Sequence, residues 1–92
     1  MHSRRTKAFR ECFARLPEEI QRIAREKYRI FRDNPRHPSF QVKPVRGVKA
    51  RDGGPLWEYR INRSYRAVCF VDGQTYVWVF VGSHDEFEGF RR

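Results

Sequence analysis

Acidic residues are scarce in this sequence. Its 92 residues hold 11 Asp and Glu against 20 Lys and Arg, a formal net charge of +9. The shortfall is uneven: residues 1–46 carry 13 basic against 5 acidic side chains, and residues 47–92 carry 7 against 6. A field of that sign favours RNA, DNA or an acidic protein as partner. Cysteine is scarcer still. Cys12 and Cys69 fit no zinc or redox spacing and read as reduced core residues, one on a helix face and one in a strand. With only His2, His37 and His84 scattered beside them, they make no metal site, and neither metal nor cofactor is expected. There is no glycine-rich phosphate cradle and no activated Ser or Cys nucleophile. No apolar run approaches membrane-spanning length, and no signal-peptide core follows Met1, so a cytoplasmic location without a membrane partner is expected. Repeats and low-complexity tracts are absent too.

Aromatic residues are plentiful, at 15%. They argue for a folded chain, because a disordered basic tail lacks such rings. The length suits one domain, residues 1–92, with a modest core.

Phe9, Cys12, Phe13 and Leu16 follow the i, i+3, i+4, i+7 spacing of one helix face, and Ser3–Leu16 reads as helix. Pro17-Glu18-Glu19 breaks it and starts a second helix, expected over Pro17–Asp33 and stopped by Asn34-Pro35. Ile20, Ile23, Ala24, Ile30 and Phe31 form its expected buried face; Arg22, Arg25, Arg29 and Arg32 line the opposite one. Strands follow at Phe40–Val45, Leu56–Ile61, Tyr65–Val71 and Thr75–Val81, with a charged loop from Arg46 to Pro55. Asn62-Arg63-Ser64 and the hairpin signal Asp72-Gly73 join the last three. Ser83 and Glu86 form an S-x-x-E capping box opening a short C-terminal helix. The expectation is an α+β fold, a helical hairpin packed on a mainly antiparallel four-stranded sheet.

Alternation puts Trp57, Tyr59 and Ile61 on one face and Glu58 and Arg60 on the other. If Ile61 pairs with Tyr65, Arg60 lies opposite Arg66. Like charges so placed repel by up to about 1 kcal/mol, which makes sense where an anion visits. Val68, Phe70, Val77 and Val79 are expected to share that face. His84, in the first turn of the last helix, can give or take a proton near neutral pH. Metal-free RNA cleavage needs a base, cations for the phosphorane and an acid. Arg60, Arg66, His84 and Glu58 supply those types. The same residues also fit a plainer arrangement, with solvated arginines paired to Glu58 and an exposed His84. The helix stripe Arg22/Arg25/Arg29/Arg32 and the cluster Lys43, Arg46, Lys49 and Arg51 are candidates for backbone contacts to RNA. His37 reads as structural.

The order of these segments resembles the RelE/ParE superfamily of bacterial toxin–antitoxin toxins. The residues that carry the likeness are Asn34-Pro35-Arg36-His37-Pro38-Ser39, Leu56-Trp57-Glu58-Tyr59-Arg60-Ile61, Ser64-Tyr65-Arg66-Ala67-Val68 and Val81-Gly82-Ser83-His84-Asp85-Glu86-Phe87. Because Ser3–Leu16 reads as helix, the family's usual N-terminal strand is expected to be missing or barely present. The resemblance implies a toxin neutralised by an acidic antitoxin, with operator DNA met only through that antitoxin. RelE-like members cleave mRNA on the ribosome, so ribosome and mRNA are implied partners. ParE-like members inhibit DNA gyrase without such chemistry, and a detoxified regulator is a third possibility. Arg66 falls where RelE-like toxins keep a phosphate-stabilising arginine, Arg60 where they often carry another basic residue, and His84 near their C-terminal catalytic residue. Where the family commonly has a tyrosine, this chain has Phe87.

Overall fold

The computed structural model describes residues 2–92. The elements run β1 (His2–Arg5), α1 (Lys7–Ala14), α2 (Glu18–Asp33), a 3-10 turn (Pro38–Phe40), β2 (Lys43–Lys49), β3 (Pro55–Arg60), β4 (Tyr65–Asp72), β5 (Thr75–Ser83) and α3 (His84–Phe90). The strands form one sheet in the order β1-β5-β4-β3-β2. β1 runs parallel to β5 and the other pairs are antiparallel. This is the expected α+β class, but the sheet has five strands among the described residues, not four.

The extra strand corrects the reading of Ser3–Leu16 as helix. Thr6 ends β1 and caps α1: its Oγ1 accepts from the Phe9 N–H at 3.1 Å and donates to the Trp78 carbonyl at 2.9 Å. The same residue therefore starts the helix and fastens it to β5. α1 and α2 form the expected hairpin. At its bend Gln21 donates to the carbonyls of Phe13 and Leu16, both at 3.1 Å, covering acceptors left bare at the end of α1.

Two apolar layers flank the sheet. Tyr59, Ile61, Ala67, Cys69, Trp78 and Val81 face the helical hairpin and pack with Leu16, Phe31 and Phe40. Phe31, 2% exposed, fastens α2: its ring lies 5.0–5.3 Å from Tyr76, Trp78 and Tyr59, edge to face. Ile20, Ile23 and Ala24 are partly buried beside it. Ile30 is not: it is 39% exposed, because α2 turns it past the edge of the contact.

On the other side Val45, Leu56, Val68 and Phe80 pack under Phe87 of α3. Here the β5 register departs from strict alternation. Val68 pairs with Phe80, yet Cys69 pairs with Trp78, so Val79 is an extra residue in a bulge. The bulge brings Phe80 onto the Val68 face, while Phe70 and Val79 pack partly buried against the same layer, as expected. β2 also differs from expectation: it spans Lys43–Lys49, not Phe40–Val45, and includes part of the presumed 46–55 loop. Phe40 instead closes the 3-10 turn, followed by Gln41 at φ 45°.

Candidate functional site

One end of the sheet gathers the chemistry. Arg60 and Arg66 are cross-strand partners, as the hairpin register required, and Arg66 in turn faces Gly82. A Cβ at Gly82 would come within 2.9 Å of the Phe80 ring and 3.1 Å of the Glu86 carboxylate. Glycine there lets α3 fold back on β5 beside the arginines. The capping box forms: the Ser83 N–H donates to Glu86 at 2.9 Å, and the Glu86 N–H donates to the Ser83 hydroxyl at 3.2 Å. Hydrogen bonds from Ser83, its backbone N–H first and its side chain second, hold the Glu86 carboxyl below the usual range. They also place His84 at the first position of α3. Its backbone N–H donates to the Ser64 carbonyl at 2.8 Å, so α3 begins against the β3–β4 turn. The imidazole is exposed.

Arg66 is partly committed. Its Nη1 donates to the carbonyls of Asn62 at 2.8 Å and Tyr65 at 3.0 Å. Its Nε lies 3.6 Å from the Glu58 carboxylate, an ion pair longer than a hydrogen bond. Among the described residues Nη2 has no partner, and the Arg60 guanidinium has none either. Glu58 is 6% exposed, sits opposite Val68 on β4, and has Lys43 as its neighbour on β2. The structure thus brings Arg60, Arg66, Glu58 and Lys43 onto adjoining strands, with His84 at the adjacent turn. Glu58 and the two arginines follow the sequence expectation in position. Arg46 and Lys49 are exposed on β2, and Arg51 is exposed in the turn after it.

Sequence reasoning passed over Arg63. It sits exposed at the tip of the turn, midway between Arg60 and Arg66. The three-residue spacing Arg60-x-x-Arg63-x-x-Arg66 was the available signal. Phe87 also gains a clear role: it is 3% exposed and packs against Phe80, which makes it the anchor of α3.

A second basic surface lies on the hairpin side. Arg22, Arg25, Arg29 and Arg32 are all exposed on α2. Arg22 pairs with Glu26 at 2.9 Å, and the Arg25 guanidinium lies over the Phe13 ring at 5.2 Å. Arg25, Arg29 and Arg32 join Arg5 and Arg60 around a cleft of about 550 Å³ between α2 and the sheet. Aromatic rings, Trp78 among them, line its interior. The Trp78 Nε1–H is buried there without an acceptor among the described residues. Arg5 could not be assigned to this surface from sequence, because β1 was not expected.

No group of three His, Cys, Asp or Glu side chains that could hold a metal occurs among the described residues. Burial pushes the Cys69 thiol up to about 12, which keeps it a neutral core residue. His37 caps the 3-10 turn, its Nδ1 accepting from the Ser39 N–H at 3.2 Å.

The family model for the ParE-like toxin domain matches residues 18–89, from the start of α2 into α3. The chain belongs to the ParE-like toxin domain family. That match contains the whole Arg60/Arg66/His84 end of the sheet and leaves β1 and α1 outside it. No curated protein matches the sequence. Solved structures share the fold of this ParE-like chain. The archaeal RelE–RelB complex from Pyrococcus horikoshii superposes with a TM-score of 0.66 at 18% identity, covering 89% of this chain and 92% of that one. The YoeB/ParE toxin from Agrobacterium tumefaciens gives 0.63 at 18% identity, covering 91% and 99%. The RelBE2 toxin–antitoxin complex from Mycobacterium tuberculosis gives 0.60 at 23% identity, covering 90% and 96%. At these identities the likeness shows that this ParE-like chain shares their fold.

Proposed function

We propose that this chain is the toxin of a type II toxin–antitoxin pair and acts as a ribosome-dependent mRNA endoribonuclease. The observation that carries the reading is the Arg60–Arg66 cross-strand pair beside Glu58, with His84 fastened to the same turn. Two arginines at paired strand positions, each with unused donors, suit the equatorial oxygens of a phosphorane. Glu58 or His84 takes the 2′-hydroxyl proton, and His84 can return one to the leaving oxygen. Lys43, Arg46, Lys49 and Arg51 lead away along the sheet edge and hold the RNA backbone, as do the arginines of α2.

Arg60→Ala is the cleanest test, because Arg60 holds no other group in place among the described residues. After induction, mapped mRNA 5′ ends should show new cleavage within coding regions, and Arg60→Ala and His84→Ala should each abolish it while leaving the circular dichroism spectrum unchanged. Growth arrest that survives both substitutions defeats the catalytic assignment.

An acidic antitoxin is the matching partner. Two of the structural neighbours are toxin–antitoxin complexes. Here the arginine-rimmed aromatic cleft offers cations and apolar surface to an acidic amphipathic segment.

A second reading, gyrase inhibition without chemistry, is favoured by the ParE-like family match and by Phe87, whose ring is packed away and carries no hydroxyl. Induction would then give DNA damage and inhibited supercoiling, with intact mRNA.

A further inference from the structure

The β3–β4 turn does more than connect two strands. The Asn62 side-chain oxygen accepts from the backbone N–H groups of Ser64 at 2.8 Å and Tyr65 at 3.0 Å. Those bonds close an Asx turn. Its carbonyls then serve both halves of the candidate site. The Asn62 and Tyr65 carbonyls receive Nη1 of Arg66 at 2.8 and 3.0 Å. The Ser64 carbonyl receives the His84 N–H at 2.8 Å. One carboxamide therefore fixes, at a single removed step, the guanidinium of β4 and the start of α3. The strand pairing alone does not do this: it sets the Cα positions of Arg66 and Ser83, not the direction of the turn carbonyls.

We propose that Asn62 is the positioning residue of this site, holding Arg66 and His84 in one geometry so that they act as a unit. Its consequence for cleavage rests on the endoribonuclease reading; its structural content does not. Asparagine suits the task because its oxygen accepts two N–H bonds without placing a negative charge beside three arginines. Aspartate can make the same two bonds but adds that charge. Alanine makes neither.

The test uses the full chain labelled with nitrogen-15. In Asn62→Ala the Arg66 Nε–H and His84 amide resonances should both shift, and the His84 amide should lose protection from hydrogen exchange. The circular dichroism spectrum should remain that of the folded protein. Asn62→Asp should restore both signals, which a merely destabilised turn would not require. In the mRNA assay Asn62→Ala should lower cleavage about 10- to 100-fold, the loss expected when catalytic groups are misplaced by about an ångström. Combined with Arg66→Ala it should add almost nothing, because both changes remove the same arrangement.

Resonances that stay in place in Asn62→Ala overturn the proposal, as does a fully additive double mutant. If Asn62→Ala fails to fold, Asn62→Gly, which also lacks the side-chain acceptor but relaxes the turn backbone, gives the same comparison, and unmoved signals there count against the proposal equally. If the resonances move but the wild type cleaves no mRNA, the endoribonuclease reading fails and the positioning role stands.

Discussion

Glu58→Gln separates binding from chemistry at this site, because the two should respond with opposite sign. The Glu58 carboxylate lies 3.6 Å from Nε of Arg66, and the two side chains are 9% and 18% exposed. At that distance the gross attraction is about 1 kcal/mol in bulk water and about 4–5 kcal/mol at an effective dielectric of 20. Desolvating both ions cancels much of it. A phosphate seated on Arg66 would meet the same carboxylate at comparable range, now as a repulsion. Removing the charge should therefore tighten binding of a short RNA by about tenfold, or ~1.4 kcal/mol. Glutamine keeps the volume and can still accept a hydrogen bond, so the strand register should hold.

If Glu58 also serves as base, cleavage at saturating RNA should fall while affinity rises. Fluorescence anisotropy of a labelled single-stranded RNA gives the first quantity and single-turnover cleavage on ribosomes gives the second. Weaker RNA binding by Glu58→Gln would refute the reasoning, because it would mean that Glu58 organises the arginines rather than competing with their ligand. Tighter binding with unchanged cleavage would keep the phosphate site and leave His84 as the acid–base group.

Other substitutions probe the frame. Phe87→Tyr puts a hydroxyl into a buried layer without a partner and should destabilise the protein by about 1–3 kcal/mol in urea titration, with no gain in cleavage; increased cleavage would show that the ring reaches the site. Phe31→Ala removes the ring that fastens α2 and should cost about 3–5 kcal/mol; a smaller loss would mean that α2 is held mainly elsewhere. Glu86 has its folded pKa depressed by the Ser83 bonds, so its contribution is present above the unfolded value and lost as pH falls through the folded one. Acid should therefore loosen α3, seen as a fall in hydrogen-exchange protection of the Phe87 amide, and Glu86→Gln should flatten that dependence. Charge reversal at Arg29 and Arg32 should weaken an acidic amphipathic peptide in a salt-dependent manner while leaving the stability unchanged within about 0.5 kcal/mol.

The elements legible in the sequence are those specified locally. The meander from Leu56 to Val81 follows from alternation and Asp72-Gly73, and with Ile61 paired to Tyr65 it puts Arg60 opposite Arg66. Ser83 and Glu86 fix α3 in the same way. β1 is invisible because His2, Ser3, Arg4 and Arg5 are polar and exposed, and they form a strand only by pairing with Thr75–Trp78 at the far end of the chain. β2 is placed too early because Gly47 marks the stretch from Arg46 as a loop, whereas pairing at the sheet edge carries the strand on through it to Lys49. The Val79 bulge is equally silent: nothing in Tyr76–Val81 says which residue is extra, and only the fit of Phe80 beneath α3 decides it.

The turn also explains how Arg60 and Arg66 can share a face at all. Like charges at paired strand positions repel, and Glu58 at 3.6 Å from Arg66 offsets part of that. Arg66 offsets more of it by giving Nη1 to the turn carbonyls while its Nε faces Glu58. Acceptors at Nη1 and Nε hold Arg66 in place and leave Nη2 without a partner among the described residues. Arg60 has no such acceptors among the described residues, so its charge is the one left for a ligand to neutralise. An incoming anion should then bind asymmetrically, tightly oriented by Arg66 and energetically dependent on Arg60. Arg60→Lys keeps the charge and should retain most of the affinity for inorganic phosphate or RNA. Arg66→Lys also keeps the charge but cannot span the carbonyls and Glu58 together, and it should cost both affinity and the position of His84. Equal losses from the two lysine substitutions would remove this division of labour.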